Sequence, residues 1–72
     1  MFPNKKVQKM AGFKVKVEMK DGVNVFEGIL ESVDDYMNLH LTNVTNISEG
    51  ENSSALKSIL LRGNNIISIA PL

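Results

Sequence analysis

The chain contains no cysteine. A disulfide framework and a thiolate metal site are therefore both excluded. There is one histidine, His40, and nothing near it has metal-ligand spacing, so neither a metal nor a cofactor is expected. Tryptophan is absent, and one tyrosine and three phenylalanines make up all the aromatics. That is too few for the aromatic-lined groove of a peptide-gripping module of the SH3 kind. The eight basic side chains are matched by eight acidic ones, for a formal net charge of +0. A generic, charge-driven nucleic-acid binder would need a basic surplus, whereas a local site that reads bases by stacking and hydrogen bonding would not. The longest apolar runs fall far short of a membrane span, so no membrane partner is expected. The opening Met1-Phe2-Pro3-Asn4-Lys5-Lys6 lacks the apolar core of a secretory signal. The sequons at Asn43, Asn46 and Asn52 are accordingly read as chance.

What is present is one small domain. Its 72 residues bound a thin core, and a small chain without staples commonly gains stability by oligomerising. The apolar fraction of 43% is ordinary for a globular protein and argues against wholesale disorder.

Lys5 to Ala11 places Val7, Met10 and Ala11 on one helical stripe, with Gly12 as the stop. Phe13 to Lys20 alternates, Phe13, Val15, Val17 and Met19 facing one way and Lys14, Lys16, Glu18 and Lys20 the other, which predicts a half-buried strand. Asp21-Gly22 predicts a tight hairpin through positive φ angles. Val23 to Val33 reads as a longer second strand whose phase slips near Gly28, where a bulge or sharp bend is expected. Asn38 to Ile47 is a third strand, its apolar side carried by Leu39 and Leu41 in register and continued with a slip by Val44 and Ile47; Ala55 to Leu61 is a fourth and Asn65 to Ala70 a fifth. Ser48 to Ser53 forms a polar loop between the third and fourth strands. The last two strands carry apolar residues on both faces. In so small a domain the second face needs cover, most economically from other subunits pairing with the free edges. A head-to-tail contact of that kind closes into a ring when the rotation is right.

The chain is organised around Val33-Asp34-Asp35-Tyr36-Met37-Asn38-Leu39, a polar knot between two apolar runs. Two consecutive acids disfavour strand continuation, so a turn is expected. Within five residues it holds a carboxylate, a phenol ring and a carboxamide. A flat ring stacks and an amide reads a hydrogen-bonding edge, so one nucleobase is a natural ligand. Asp34 and Asp35 as a catalytic pair are disfavoured: adjacent carboxylates on a turn point apart, and no base or nucleophile is in reach. An enzyme is not expected. Met37 reads as a filler beneath the knot.

These segments resemble the Sm/LSm family. The first motif is carried by Val15-Lys16-Val17-Glu18-Met19-Lys20-Asp21-Gly22, Phe26-Glu27-Gly28-Ile29-Leu30 and Val33-Asp34-Asp35-Tyr36-Met37-Asn38-Leu39. The second is Ile59-Leu60-Leu61-Arg62-Gly63-Asn64-Asn65-Ile66. The resemblance implies a mainly β fold, with a short N-terminal helix followed by a strongly bent five-stranded antiparallel SH3-like barrel. It divides the chain into a helix region (1–12), a first motif (13–47), a variable loop (48–53) and a second motif (54–72) of a single domain. It further implies a ring of six to eight subunits, most often seven, joined by pairing of the fourth strand with a neighbour's fifth. The implied ligand is single-stranded U-rich RNA near the pore.

Carried over residue by residue, the resemblance makes Tyr36 a stacking platform, Asn38 the reader of the base edge and Arg62 the cover on the base's other face. Asp34 braces the turn, Gly63 lets the two turns approach, and Asn64 buttresses the site. The implied work is ribonucleoprotein assembly or RNA processing, splicing included. The alternative is a mainly structural subunit of a mixed ring, with little direct RNA contact. Many eukaryotic members have extensions, some rich in Arg-Gly, that do not follow Leu72, and the functions of such tails are not expected. Tyr36 stands where many archaeal members have His, a hint of a eukaryotic-type subunit. Localisation would be cytoplasmic for an archaeal source, and in a nuclear or cytoplasmic ribonucleoprotein for a eukaryotic one.

Overall fold

The computed structural model describes residues 4–48 and 55–72. Helix α1 (Asn4–Gln8) leads into β1 (Lys14–Met19), β2 (Val25–Val33), β3 (Leu39–Asn46) and β4 (Ala55–Leu61), then a 3₁₀ turn (Gly63–Asn65) and β5 (Ile66–Pro71). All neighbouring strands pair antiparallel, in the spatial order β4-β3-β2-β1-β5. The expected variable loop lies, apart from Ser48, outside the described residues.

Sequence-adjacent β4 and β5 are thus the two opposite edges of the sheet. Laid flat, five strands would set those edges about 19 Å apart at ~4.8 Å per interval. The link from Leu61 to Ile66 spans at most about 18 Å when fully extended, and three of its residues are wound into the 3₁₀ turn. The sheet must therefore curl, which brings the β2–β3 turn and the β4–β5 turn to the same end.

Bulges supply the curl. Glu27 pairs with Thr45 and Ile29 with Thr42, so Gly28 alone opposes Asn43 and Val44. The expected bulge is present, but its extra residue is on β3, where Asn43 takes a left-handed φ of 51°. Asparagine tolerates that conformation better than most residues. Gly28 is the close-approach residue: a Cβ there would lie 2.8 Å from the Thr42 carbonyl oxygen. The buried face Phe26, Gly28 and Leu30 keeps its phase through this point. The slip comes three residues later, where Glu31 is the extra residue between the Leu30–Leu41 and Ser32–His40 pairs.

Inside the curl lie Val15 and Val17 of β1, Phe26 and Leu30 of β2, Leu39, Leu41 and Val44 of β3, and Leu61 of β4. Val7 of α1 and Met37 of the β2–β3 turn complete the core.

Four local expectations are corrected. The helix has its second turn replaced by i→i+3 bonds (Met10 N–H to Val7 O, Ala11 N–H to Gln8 O), and Gly12, at φ 87°, donates its N–H to the Leu30 carbonyl. That bond redirects the chain, so Phe13 sits at the corner, exposed, rather than in the core with Val15. The β1–β2 turn is longer than a two-residue hairpin, and only Gly22 has positive φ. Asp21 contributes its carboxylate instead: Oδ1 accepts the N–H groups of Val23 and Asn24, both at 2.8 Å. Val23 is consequently a loop residue. At the end of β3 it is Asn46 that is buried, more fully than Ile47. Its amide is satisfied there: Nδ2 donates to Asn24 Oδ1 at 3.0 Å, and Oδ1 accepts from Ser48 N–H and Oγ–H.

Candidate functional site

The turn between β2 and β3 is built on the Asp34 carboxylate. Oδ1 accepts the backbone N–H groups of Tyr36 and Asn38, both at 2.9 Å, and Oδ2 accepts the side-chain N–H of Asn38 at 2.9 Å. Backbone bonds from Met37 N–H to Asp34 O and from Asp34 N–H to Asn38 O close the same loop. Met37 adopts a left-handed φ of 63°, which for such a residue costs roughly 1–2 kcal/mol. Burial of its side chain in the core offsets that cost. With Met37 drawn inward, its neighbour Tyr36 is left 74% exposed.

The second turn meets the first through Gly63. Its N–H donates to Asn38 Oδ1 at 2.8 Å. A Cβ on Gly63 would fall 2.0 Å from the Tyr36 carbonyl oxygen and 2.9 Å from Met37 backbone atoms. No side chain is compatible with that approach, and the constraint is one of space rather than of positive φ. Arg62, extended at φ −77° and ψ 130°, stands at the entry to the 3₁₀ turn, which closes with Asn65 N–H on the Arg62 carbonyl.

Tyr36, Asn38, Arg62 and Asn64 together line one cleft. The six site residues expected from sequence thus divide by position. Four form the walls, with Asn64 in the wall rather than behind it, while Asp34 and Gly63 tie the two turns together from outside it. The hydrogen bonds from the Asn38 backbone and side chain hold the Asp34 carboxyl below the usual carboxylate range against the opposing effect of desolvation, with lesser help from the Tyr36 N–H and the nearby Arg62 guanidinium. Asp34 is therefore an acceptor at neutral pH. Among the described residues no cluster of three or more metal-ligating side chains occurs.

A second concavity went unread in the sequence. Val7 of α1, Met10 of the turn that follows it, Met37, Gly63 and the length of β5 line a largely apolar groove. The signals were present separately, in the Val7/Met10 helical stripe and the two-faced apolarity of β5, but nothing in the chain's order joins them.

Residues 5–71 match the LSM domain family model, and the chain belongs to the Sm/LSm family, a non-enzymatic RNA-binding family. Among curated proteins it is similar to a putative snRNP Sm-like protein of Thermoplasma volcanium, at 42% identity over 79% of this chain and 68% of that protein. It is also similar to the LSM complex subunit lsm6 of Schizosaccharomyces pombe, at 33% identity over 97% of this chain and 92% of that one. Among solved structures, an Sm-like protein of Archaeoglobus fulgidus is 46% identical with a TM-score of 0.85, covering 100% of this chain and 96% of that one. The P. aerophilum SmAP1 heptamer superposes with a TM-score of 0.87 at 30% identity, over 97% and 92% of the two chains. The Pyrococcus abyssii Sm protein, solved with a uridine heptamer, gives a TM-score of 0.87 at 26% identity over 100% of both chains. The architecture is the Sm fold. Archaeal and eukaryotic proteins both stand among these relatives.

Proposed function

We propose that this chain binds single-stranded, uridine-rich RNA, one base per subunit, on the inner side of a ring of subunits joined by β4–β5 strand pairing. The observation that carries the reading is the convergence of Tyr36, Asn38, Arg62 and Asn64 on one cleft. A phenol ring and a guanidinium plane are stacking partners for the two faces of a base, each stacked base contributing roughly 1–3 kcal/mol. One such site is weak, but several on one ring engage a strand together. The A. fulgidus, P. aerophilum and P. abyssii relatives, the last solved with a uridine heptamer, support it.

Preference for uracil follows from how Asn38 is held. Asp34 only accepts and the Gly63 N–H only donates, so the carboxamide has its Nδ2 toward Asp34 and its Oδ1 toward Gly63. The remaining amide hydrogen and oxygen lone pair are then a donor and an acceptor in fixed order. Uracil presents an N3–H donor and carbonyl acceptors to that pair, whereas cytosine presents an N3 acceptor and an amino donor. A flipped Asn38 would suit cytosine, but it would set Nδ2 against the Gly63 N–H and Oδ1 against the Asp34 carboxylate. Asp34 and Gly63 thus select the base by fixing the side chain that reads it.

The biochemical role is assembly of a ribonucleoprotein or chaperoning of an RNA's uridine-rich segment, in the cytoplasm of a cell of archaeal type. Binding of fluorescent oligo-uridine and oligo-cytidine, measured alongside native mass, tests the reading. A ring that prefers oligo-uridine supports it. A ring that assembles but binds neither oligomer leaves the chain a structural subunit.

A further inference from the structure

His40 is the one histidine of the chain, and histidine is the side chain whose ordinary titration falls between about pH 5 and pH 8. The fold stations it one strand in from an edge of the sheet. Leu39 and Leu41, on either side, are buried, so His40 is left exposed on the outer face of β3. Toward β2 it stands opposite Ser32, with Glu31 as the extra residue beside that pair. Toward β4 it is paired with Leu60, which is 64% exposed. β4 is an edge of the sheet, one of the two that ring closure would pair. An imidazole thus borders the apolar side chain that docking would cover.

The charged groups around His40 are few. Glu31 is on the β2 side, away from the edge, and its Oε1 accepts the Thr42 hydroxyl at 2.9 Å. Asp34, two positions beyond Ser32, holds the N–H groups of Tyr36 and Asn38. Arg62, two positions beyond Leu60, lines the base cleft, while Lys57 lines a hollow toward the other end of β4 with Asn43 and Thr45. The opposite edge brings no acid of its own. Val15 and Val17 of β1 are buried, and Ser68 and Ala70 of β5 pair with Glu18 and Lys16 on the other, outward face. Leu72 extends that row, its N–H on the Lys14 carbonyl. Laid along β4 with the two cores on one side of the joined sheet, β5 of a second copy sets Ser68, Ala70 and Leu72 on the face that carries Leu60 and His40.

Resting on the ring proposed above, we infer that ring formation is controlled by pH through His40: the neutral imidazole lets subunits join, and the imidazolium holds them apart. Docking strips water from Leu60 and from the imidazole beside it. A neutral imidazole loses little there, because its apolar body packs on Leu60. A cation loses hydration, and the incoming strand offers no carboxylate in its place. The second copy's nearest charges on this face, Lys14 and Lys16 with Glu18, are one strand further out and net positive. Protons therefore favour the lone chain. By reciprocity, closing the ring must release them, so assembly strengthens as pH rises across the imidazole range. With one such group per subunit, every contact of the ring responds at once.

Sedimentation velocity of the full-length chain, without RNA, tests this across a concentration series spanning ring dissociation, at pH ~5.5 and pH ~8 and one ionic strength. The expected result is an assembly midpoint at about fivefold or more higher chain concentration in the acid series. His40→Gln should give one midpoint in both series, near that of wild type at the higher pH. That variant controls for every other group titrating in this range, the α-amino group included. His40→Lys, charged throughout, should give the acid midpoint of wild type in both series. His40 is exposed, so neither variant removes a core contact, and circular dichroism in both buffers checks the fold. A wild-type midpoint that stays put or falls in acid, or a shift that survives in His40→Gln, overturns the inference and leaves the ring standing. A chain that forms no ring in either buffer overturns the ring and the inference together.

Discussion

The backbone N–H of Gly63 donates to the side-chain oxygen of Asn38 at 2.8 Å, across 25 positions of sequence. This bond joins the two turns, orients the amide that faces the cleft, and depends on a residue with no side chain. The same residue pair thus has a structural role and a selective one, and substitutions around it separate the two.

Gly63→Ala would place a methyl group 2.0 Å from the Tyr36 carbonyl. Backbone, not a flexible side-chain end, is in the way, so the turns must part. The expected loss of stability is about 1–3 kcal/mol, as for other overpacked sites, with loss of oligo-uridine binding. Urea denaturation and fluorescence anisotropy measure the two effects; an unchanged midpoint would mean that the turns are not held in this contact.

Tyr36→Ala and Arg62→Ala remove exposed side chains that contribute nothing to the core. Each should leave the fold and ring intact and weaken binding of a short oligo-uridine by about 1–3 kcal/mol, which is roughly five- to 150-fold. Native mass spectrometry checks the ring and anisotropy the affinity. Full affinity in both variants would remove the stacking roles.

Asp34→Asn tests base selection. An amide at this position can both donate and accept, so it no longer dictates which way Asn38 points. Oligo-uridine binding should fall while oligo-cytidine binding holds or rises, bringing their ratio toward one. Equal losses for both oligomers would show that Asp34 merely supports the turn.

Acid sensitivity has a definite sign. The Asp34 carboxyl lies below its ordinary value of 3.8, chiefly through hydrogen bonds from Asn38. Asp21 lies below it too, through the N–H groups of Asn24 and Val23 and then the Asn24 side chain. A depressed folded-state pKa contributes stability that is complete above the unfolded value and is lost as pH falls through the folded one. Wild-type protein should therefore hold full stability down to about pH 5 and lose it progressively below pH ~4. In Asp34→Asn and Asp21→Asn, thermal midpoints followed by circular dichroism should fall less steeply over that acid range. Parallel curves for wild type and variants would argue against both carboxylates as the source.

Gly28→Ala would bring a Cβ to 2.8 Å from the Thr42 carbonyl and 3.2 Å from Val44 Cγ2, at the bulge where the sheet bends. Destabilisation of about 1–3 kcal/mol is expected, with the cleft itself untouched. A stable variant with a normal ring would move the origin of the bend elsewhere.

Much of this was legible in the order of residues. The Lys14–Met19 alternation, the matching bounds of β4, and the polar turn at Asp34–Asn38 follow from local rules: period-two burial, turn chemistry and the poor strand propensity of acids. Local rules also brought Tyr36 and Asn38 into question as ligand-facing groups, while Arg62 entered through the family resemblance. The same rules misplaced Phe13, because the Gly12 N–H finds its acceptor at Leu30, 18 positions away, and that bond turns the chain. They put Ile47 rather than Asn46 inside, because the partners that satisfy a buried amide, Asn24 and Ser48, come from different loops. The residue types at the site, and the necessity of a small curved sheet, were set by the chain itself. Only the tertiary structure decided that a missing Cβ at Gly63 should meet the Tyr36 carbonyl, that Asn38 should have one orientation, and that Met37 should line a groove while its neighbours Tyr36 and Asn38 line a cleft. Those are facts of distance between segments remote in sequence, and closure of the sheet alone brings them together.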